Sequence, residues 1–118
     1  MRKEQRLRLR KEFAVVYRKG RAQSSHLLVV RVLPNDSQVS RFGFVVGKVV
    51  GGAVVRNRVK RRLREAARRL PMRDGFDIVV SARKPAADAG FDALYGALAS
   101  LAGRAGVLAQ ESASRETI

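Results

Sequence analysis

Residues 53–70, AVVRNRVKRRLREAARRL, decide the fold, because they combine a helical apolar stripe with a dense run of arginines. Apolar side chains recur at helical spacing in a stripe formed by Val55, Val59, Leu63, Ala66 and Leu70. Proline at the next position stops a helix, because it lacks an N–H and its ring clashes with the preceding turn. The segment therefore predicts an amphipathic helix that packs its stripe on a core.

The opposite face of this helix is strongly basic. An arc about 100° wide is formed by Asn57, Lys60, Arg61, Arg64 and Arg68. Its flank is widened by Arg58, Arg62 and Arg69, and only Glu65 interrupts it. Like charges at this spacing destabilise an isolated helix, and the planar guanidinium group suits phosphate oxygens. The arc predicts contact with a polyanion, and a solvated basic face is the alternative.

The segments on either side predict one α+β domain. A first helix ending near Gly20 is indicated by Leu9, Phe13, Val16 and Tyr17 at helical spacing. Strands are predicted at 27–33, 42–50 and 76–82, and a last helix begins near Phe91. The order is helix, two or three strands, helix, strand, helix, with the helices packed on a central open sheet. We expect one domain over residues 1–109 and a frayed tail at 110–118.

Composition narrows the classes of function. The 118 residues carry a formal net charge of +15, which favours a polyanionic partner. The chain has no cysteine, and its carboxylates are scattered, so neither a thiol nucleophile nor a carboxylate metal cluster is predicted. The single histidine, His26, is expected at the surface. Residues 1–11 are charged throughout and no apolar run could span a membrane, so a cytoplasmic protein is expected.

Two further features have a structural and a functional interpretation. Residues 43–49 look like a phosphate loop, but the spacing is one residue short and Val49 stands where Ser or Thr would bind magnesium. Glycines that serve strand packing are the better interpretation.

Phe13 and Tyr17 lie four residues apart on the first helix. Both could be core residues, or they could form a stacking platform for unpaired bases beside the nearby cations.

Residues 53–65, AVVRNRVKRRLRE, resemble the RNR signature of the bacterial ribonuclease P protein subunit, A-V-x-R-N-x-x-K-R-x-x-R-[EQ]. The resemblance extends over roughly residues 5–104. It includes Glu12-Phe13 and Tyr17 in the first helix, Arg41-Phe42-Gly43 and Lys48 before the signature, and residues 77–80 with Ala82-Arg83 after it. Departures from the common pattern occur at Arg31, Gly47 and Val49.

The resemblance implies the order αβββαβα, similar to the second domain of a small-subunit ribosomal protein, with a left-handed βαβ crossover around the RNR helix. It also implies a protein that assists a ribozyme in removing the 5′ leader of precursor tRNA. The catalytic groups and the required magnesium ions would then belong to the RNA subunit, and the protein would hold no catalytic residue, metal or cofactor of its own. The implied partners are the RNA subunit and precursor tRNA, with no DNA and no membrane.

The resemblance also assigns residues to two surfaces. Contacts with the RNA subunit are expected from Arg56, Asn57, Arg58, Lys60, Arg61 and Arg64, to which the basic arc adds Arg68. Leader contacts are expected from Phe13, Tyr17 and Lys48. Arg31 departs from the pattern, since some relatives carry an aromatic residue there, and it is expected to contact a leader phosphate instead of stacking.

Two rival interpretations remain open. A ribosomal-type or general RNA-binding protein could use the same fold without any role in processing. A DNA-binding module with an arginine-rich recognition helix is the other rival, although such a helix usually stands free or extends from a dimer zipper.

Overall fold

The computed structural model describes residues 5–109. The helices are α1 (Arg10–Lys19), α2 (Ala53–Arg69) and α3 (Phe91–Ala105). The strands are β1 (Arg21–Ser24), β2 (Leu28–Pro34), β3 (Arg41–Val45) and β4 (Phe76–Ala82), and a 3₁₀ helix spans Lys84–Asp88. Apart from that 3₁₀ helix the order is αβββαβα, so the predicted α+β class and element order are confirmed.

The described strands form one mixed sheet in the order β1-β2-β4-β3. β2 pairs antiparallel with both β1 and β4, whereas β3 and β4 pair in parallel. Parallel neighbours need a crossover connection, and α2 supplies it between β3 and β4. The left hand of this crossover stays a prediction.

The two faces of the sheet are covered unequally. α2, α3 and the 3₁₀ helix cover one face, where the apolar cluster includes Val30, Leu63, Ile78 and Leu98, all fully buried. α1 covers the other face, where the described cluster has only three buried residues, Leu7, Val16 and Val79. The stripe predicted for α2 faces the larger cluster, as expected for an amphipathic helix.

Three predictions about the elements need correction or completion. The predicted strand over residues 42–50 ends at Val45, because hydrogen bonds from Val50 N–H to the Gly47 carbonyl and from Gly51 N–H to the Lys48 carbonyl form a turn. Leu9 is not on the packed face of α1; it precedes the helix and is 52% exposed, and Leu7 is buried instead. Strand β1 was not located from the sequence. The predicted tail at residues 110–118 lies outside the described residues.

Gly43 lets α1 approach the sheet closely. A Cβ atom at this position would lie 2.3 Å from Phe13 Cε1 and 2.5 Å from Phe13 Cζ. Real side chains do not approach so closely, so the absence of a side chain at Gly43 makes room for the ring. The packing interpretation of this glycine is therefore confirmed, and its neighbour in the loop-like motif, Gly47, meets nothing within 4 Å.

The Gly43→Ala variant is expected to lose about 1–3 kcal/mol of unfolding free energy, because the half-buried Phe13 ring must move to admit the methyl group. Urea unfolding followed by circular dichroism measures this loss. Gly47→Ala is the matched control and should be neutral or slightly stabilising. Equal stability of the two variants would show that the Phe13 ring turns aside at no cost.

Candidate nucleic-acid interface

The outward face of α2 presents a row of exposed side chains. Asn57, Arg61, Arg64 and Arg68 are all exposed, and their spacing places them on the side of α2 opposite the buried Val59 and Leu63. The basic arc predicted from the sequence thus lies on the solvent-facing side of the helix.

Other arginines of α2 are partly used by the fold itself. Arg62 Nη1 donates a hydrogen bond to the Ala89 carbonyl at 2.8 Å, and Arg58 Nη2 donates a longer one to the Ala87 carbonyl at 3.4 Å. The Nε atoms of Arg56 and Arg58 are buried and have no hydrogen-bond partner among the described residues. Arg56, Arg58 and Lys60 are all half-buried. The hydrogen bonds of Arg58 and Arg62 brace α2 against the chain that follows β4.

The C-terminal part of the arc is partly neutralised by Glu65. Its carboxylate accepts hydrogen bonds from Arg68 and Arg69, the latter at 2.7 Å. These bonds lower the pKa of Glu65 and raise the pKa of Arg68. The positive charge that is not paired with Glu65 is therefore concentrated near the middle of the face, around Arg61 and Arg64.

On the opposite face of the sheet, Tyr17 stands at the end of α1 with 43% of its surface exposed. The Arg31 guanidinium lies over its ring, 4.5 Å from the centroid, and the Tyr17 hydroxyl shares a hydrogen bond with Ser81 Oγ at 3.2 Å. Alternation along β2 and β4 places Arg31 and Ser81 on the face that α1 covers. One ring face is thus held by a cation, which leaves the rest of the ring available to a ligand.

The other two predicted leader residues have different environments. Phe13 is half-buried and packs in the smaller apolar cluster, so it supports α1 from below. Lys48 is exposed in the turn that follows β3. Phe13 and Arg64 both line a cavity of about 120 Å³ beside β3, together with Arg6 and Gly43. The basic face of α2 and the α1 side of the sheet therefore meet across this strand.

The carboxylates of the described residues do not assemble into a site. No group of three or more histidines, aspartates or glutamates within residues 5–109 could hold a metal ion. Glu12 and Asp77 are bound to Arg41, and Glu65 is bound to arginines of its own helix.

His26 is exposed, as predicted. Over the same residues, no helix is both long and apolar enough to cross a membrane.

Comparison with known proteins identifies the family. The profile of the family Ribonuclease P matches residues 1–106. The chain belongs to this family.

Relatives among ribonuclease P protein components extend over nearly the whole chain. The protein from Symbiobacterium thermophilum is 45% identical, covering 94% of this chain and 99% of the relative. The protein from Roseiflexus castenholzii is 42% identical, covering 92% and 91%. The ribonuclease P family resemblance inferred from the RNR signature is therefore confirmed.

Solved ribonuclease P proteins share the fold. The Staphylococcus aureus protein superposes with a TM-score of 0.81 at 30% identity, covering 89% of this chain and 98% of its own. The Thermotoga maritima protein gives 0.74 at 35% identity, covering 80% and 92%. The role of this chain is that of a ribonuclease P protein component, and its association with the ribonuclease P RNA follows from the family.

The structure also shows contacts of the predicted site residues that the sequence did not indicate. Ser81 lies 64 positions from Tyr17 in the chain, and nothing in its local pattern suggests that it hydrogen-bonds to the Tyr17 hydroxyl. The carbonyls of Ala87 and Ala89 accept hydrogen bonds from Arg58 and Arg62. They are backbone groups and have no sequence signature.

Proposed function

We propose that this chain binds the catalytic RNA of ribonuclease P through the exposed face of α2 and holds the 5′ leader of precursor tRNA beside Tyr17. The arrangement that carries the proposal is a pair of surfaces on the two sides of the sheet: the exposed arginines of α2 on one side, and the exposed Tyr17 ring with Arg31 over it on the other. The protein thereby assists the cleavage that produces the mature 5′ end of tRNA.

The basic face of α2 supports the first half of the proposal. Arg61 and Arg64 are exposed, carry unshared charge in the part of the chain that the structure describes, and project from a rigid helix. Arginine forks bind phosphate oxygens with paired hydrogen bonds. Asn57 extends the face toward the start of α2, whereas Arg56, Arg58, Lys60 and Arg68 contribute secondary contacts, because each is half-buried or paired.

The surroundings of Tyr17 support the second half. Single-stranded RNA is bound where aromatic rings stack on unpaired bases beside positive charge. Tyr17 offers the ring and Arg31 lies on it, placed to meet a leader phosphate, while Lys48 is an exposed cation in the turn that follows β3. Phe13 supports the helix that carries the ring.

The chemistry of cleavage is assigned to the RNA subunit, which would supply the magnesium-dependent hydrolysis. Three of the described carboxylates fit this assignment, since Glu12, Glu65 and Asp77 already bind arginines. This chain binds and orients its partners, and we propose that it does so in the cytoplasm, without a DNA or membrane partner.

Reconstitution tests the proposed function. The protein is mixed with a bacterial ribonuclease P RNA at low magnesium concentration, and removal of the 5′ leader from precursor tRNA is followed on a gel. Cleavage faster than with RNA alone is expected. If the protein binds the RNA but gives no stimulation, the general RNA-binding alternative becomes the better account.

Changing any one carboxylate to its amide is expected to leave the chemical step intact. The set comprises Glu12→Gln, Glu65→Gln, Asp74→Asn and Asp77→Asn. Single-turnover cleavage at saturating RNA subunit, below the melting temperature of each variant, measures this step. A loss of several orders of magnitude with normal binding would place a catalytic carboxylate on this protein.

A further inference from the structure

The attachment of α1 to the sheet combines a small apolar cluster with a charged network. Among residues 5–109 the cluster buries only Leu7, Val16 and Val79. Such a small contact area gives limited stabilisation, since apolar burial contributes roughly in proportion to area. The orientation of α1 therefore depends on polar contacts as well, and these are found near its first turn.

Arg41 is the centre of that network. Its Nε and Nη2 atoms donate to the two oxygens of Asp77 at 2.9 and 2.7 Å, and its Nη1 atom donates to Glu12 Oε2 at 2.8 Å. Asp77 is only 7% exposed and also accepts a hydrogen bond from Asn35 Nδ2 at 2.9 Å. The paired hydrogen bonds fix the guanidinium plane on the sheet, so its third donor points at α1 in a defined direction.

Glu12 connects this fixed group to the start of the helix. Its Oε1 atom accepts hydrogen bonds from the backbone N–H groups of Arg8 and Leu9 at 2.8 and 2.9 Å, while Oε2 binds Arg41. The backbone hydrogen bonds and Arg41 both lower the pKa of Glu12, and Asp77 raises the pKa of Arg41. The carboxylate thus holds the first turn of α1 and ties it to β3 at the same time.

We infer that the network of Glu12, Arg41 and Asp77 is a positioning device that sets the angle of α1 on the sheet and so places Tyr17 for the leader. Tyr17 follows Glu12 by five residues, about 7.5 Å along the helix axis, so a tilt at the first turn moves the ring away from Arg31 and Ser81. This inference rests on the proposed leader site and adds to it residues that do not touch the leader.

The Glu12→Gln variant separates the role of Glu12 in positioning α1 from its role in capping the first turn of the helix. The amide oxygen can still accept the two backbone hydrogen bonds, but the ion pair with Arg41 is lost. We expect affinity for precursor tRNA in the holoenzyme to fall about three- to tenfold, with affinities for mature tRNA and for the RNA subunit unchanged. Glu65→Gln is the matched control, because it removes the same charge from ion pairs within α2 and leaves α1 alone. An equal loss of leader affinity in Glu65→Gln would contradict the inference.

A double-mutant cycle asks whether the network acts through Tyr17. In a Tyr17→Ala background, Glu12→Gln should add little further loss of precursor tRNA affinity, because the ring that it positions is gone. Additive losses would mean that Glu12 affects binding by another route and would overturn the inference.

A distance measurement on the free protein completes the test independently of function. Because the chain has no cysteine, spin labels can be placed at Ala14→Cys on α1 and Ser100→Cys on α3, both exposed positions. Glu12→Gln should broaden the distribution of distances between the labels, and Glu65→Gln should not. An unchanged distribution in Glu12→Gln overturns the inference. If the unsubstituted holoenzyme does not prefer precursor to mature tRNA, the leader proposal fails, while the label distances still report whether the network holds α1.

Discussion

Replacing Tyr17 by alanine is expected to weaken binding of precursor tRNA to the holoenzyme by roughly ten- to a hundredfold. Stacking of one base on an aromatic ring is worth about 1–3 kcal/mol, which corresponds to this range of affinity. The ring is 43% exposed, so its removal should cost the fold little. Equilibrium binding to precursor and mature tRNA, measured in parallel, tests the prediction.

Two controls separate the ring from its hydroxyl group. Tyr17→Phe and Ser81→Ala each remove the same hydrogen bond, and both should retain most of the leader affinity. Mature tRNA lacks a leader, so its affinity should hardly change in Tyr17→Ala. If precursor and mature tRNA were weakened equally, Tyr17 would belong to the contact with the RNA subunit.

Replacing Arg61 and Arg64 together by alanine is expected to flatten the salt dependence of RNA-subunit binding. Each lost phosphate contact reduces the slope of log affinity against log salt by about one unit, so a change of about two units is expected. Both side chains are exposed on the outer face of α2, and the melting temperature should therefore hold. Binding titrations over a range of salt concentrations measure the slope.

The pair Arg58→Ala and Arg62→Ala is the matched control for charge. It removes two positive charges from the same helix but also breaks the hydrogen bonds to the Ala87 and Ala89 carbonyls. We expect a lower melting temperature and a smaller change of slope than in the exposed pair. Identical slopes in the two double variants would show that only total charge matters to the RNA.

Sequence periodicity was sufficient to locate α2 and β4. The stripe of α2 and the alternation of Phe76, Ile78 and Val80 in β4 each face a single packed layer, so local pattern and tertiary position agree. β1 escaped notice because its four residues, RAQS, are mostly exposed and have no alternation; pairing with β2 makes it a strand. The end of β3 was misplaced because apolar residues continue past Val45 into a turn.

The candidate site could be predicted from the sequence only in part, because some of its contacts join distant parts of the chain. Side-chain types and helical spacing indicated Tyr17, Arg61 and Arg64, whose roles depend on exposure and charge. The contacts of Glu12 with Arg41, and of Tyr17 with Ser81, join residues 29 and 64 positions apart. Such pairings depend on strand order and register, which one sequence does not specify.

The unequal covering of the two sheet faces also has a consequence for local unfolding. α1 rests on three buried residues of the described chain, whereas α2 and α3 share the large cluster. Local openings follow the least buried contacts, so amide hydrogens of α1 should exchange with solvent through a partial opening that leaves α2 and β4 protected. We therefore expect the part of the molecule that we assign to the transient substrate strand to open more easily than the part assigned to the permanent RNA partner.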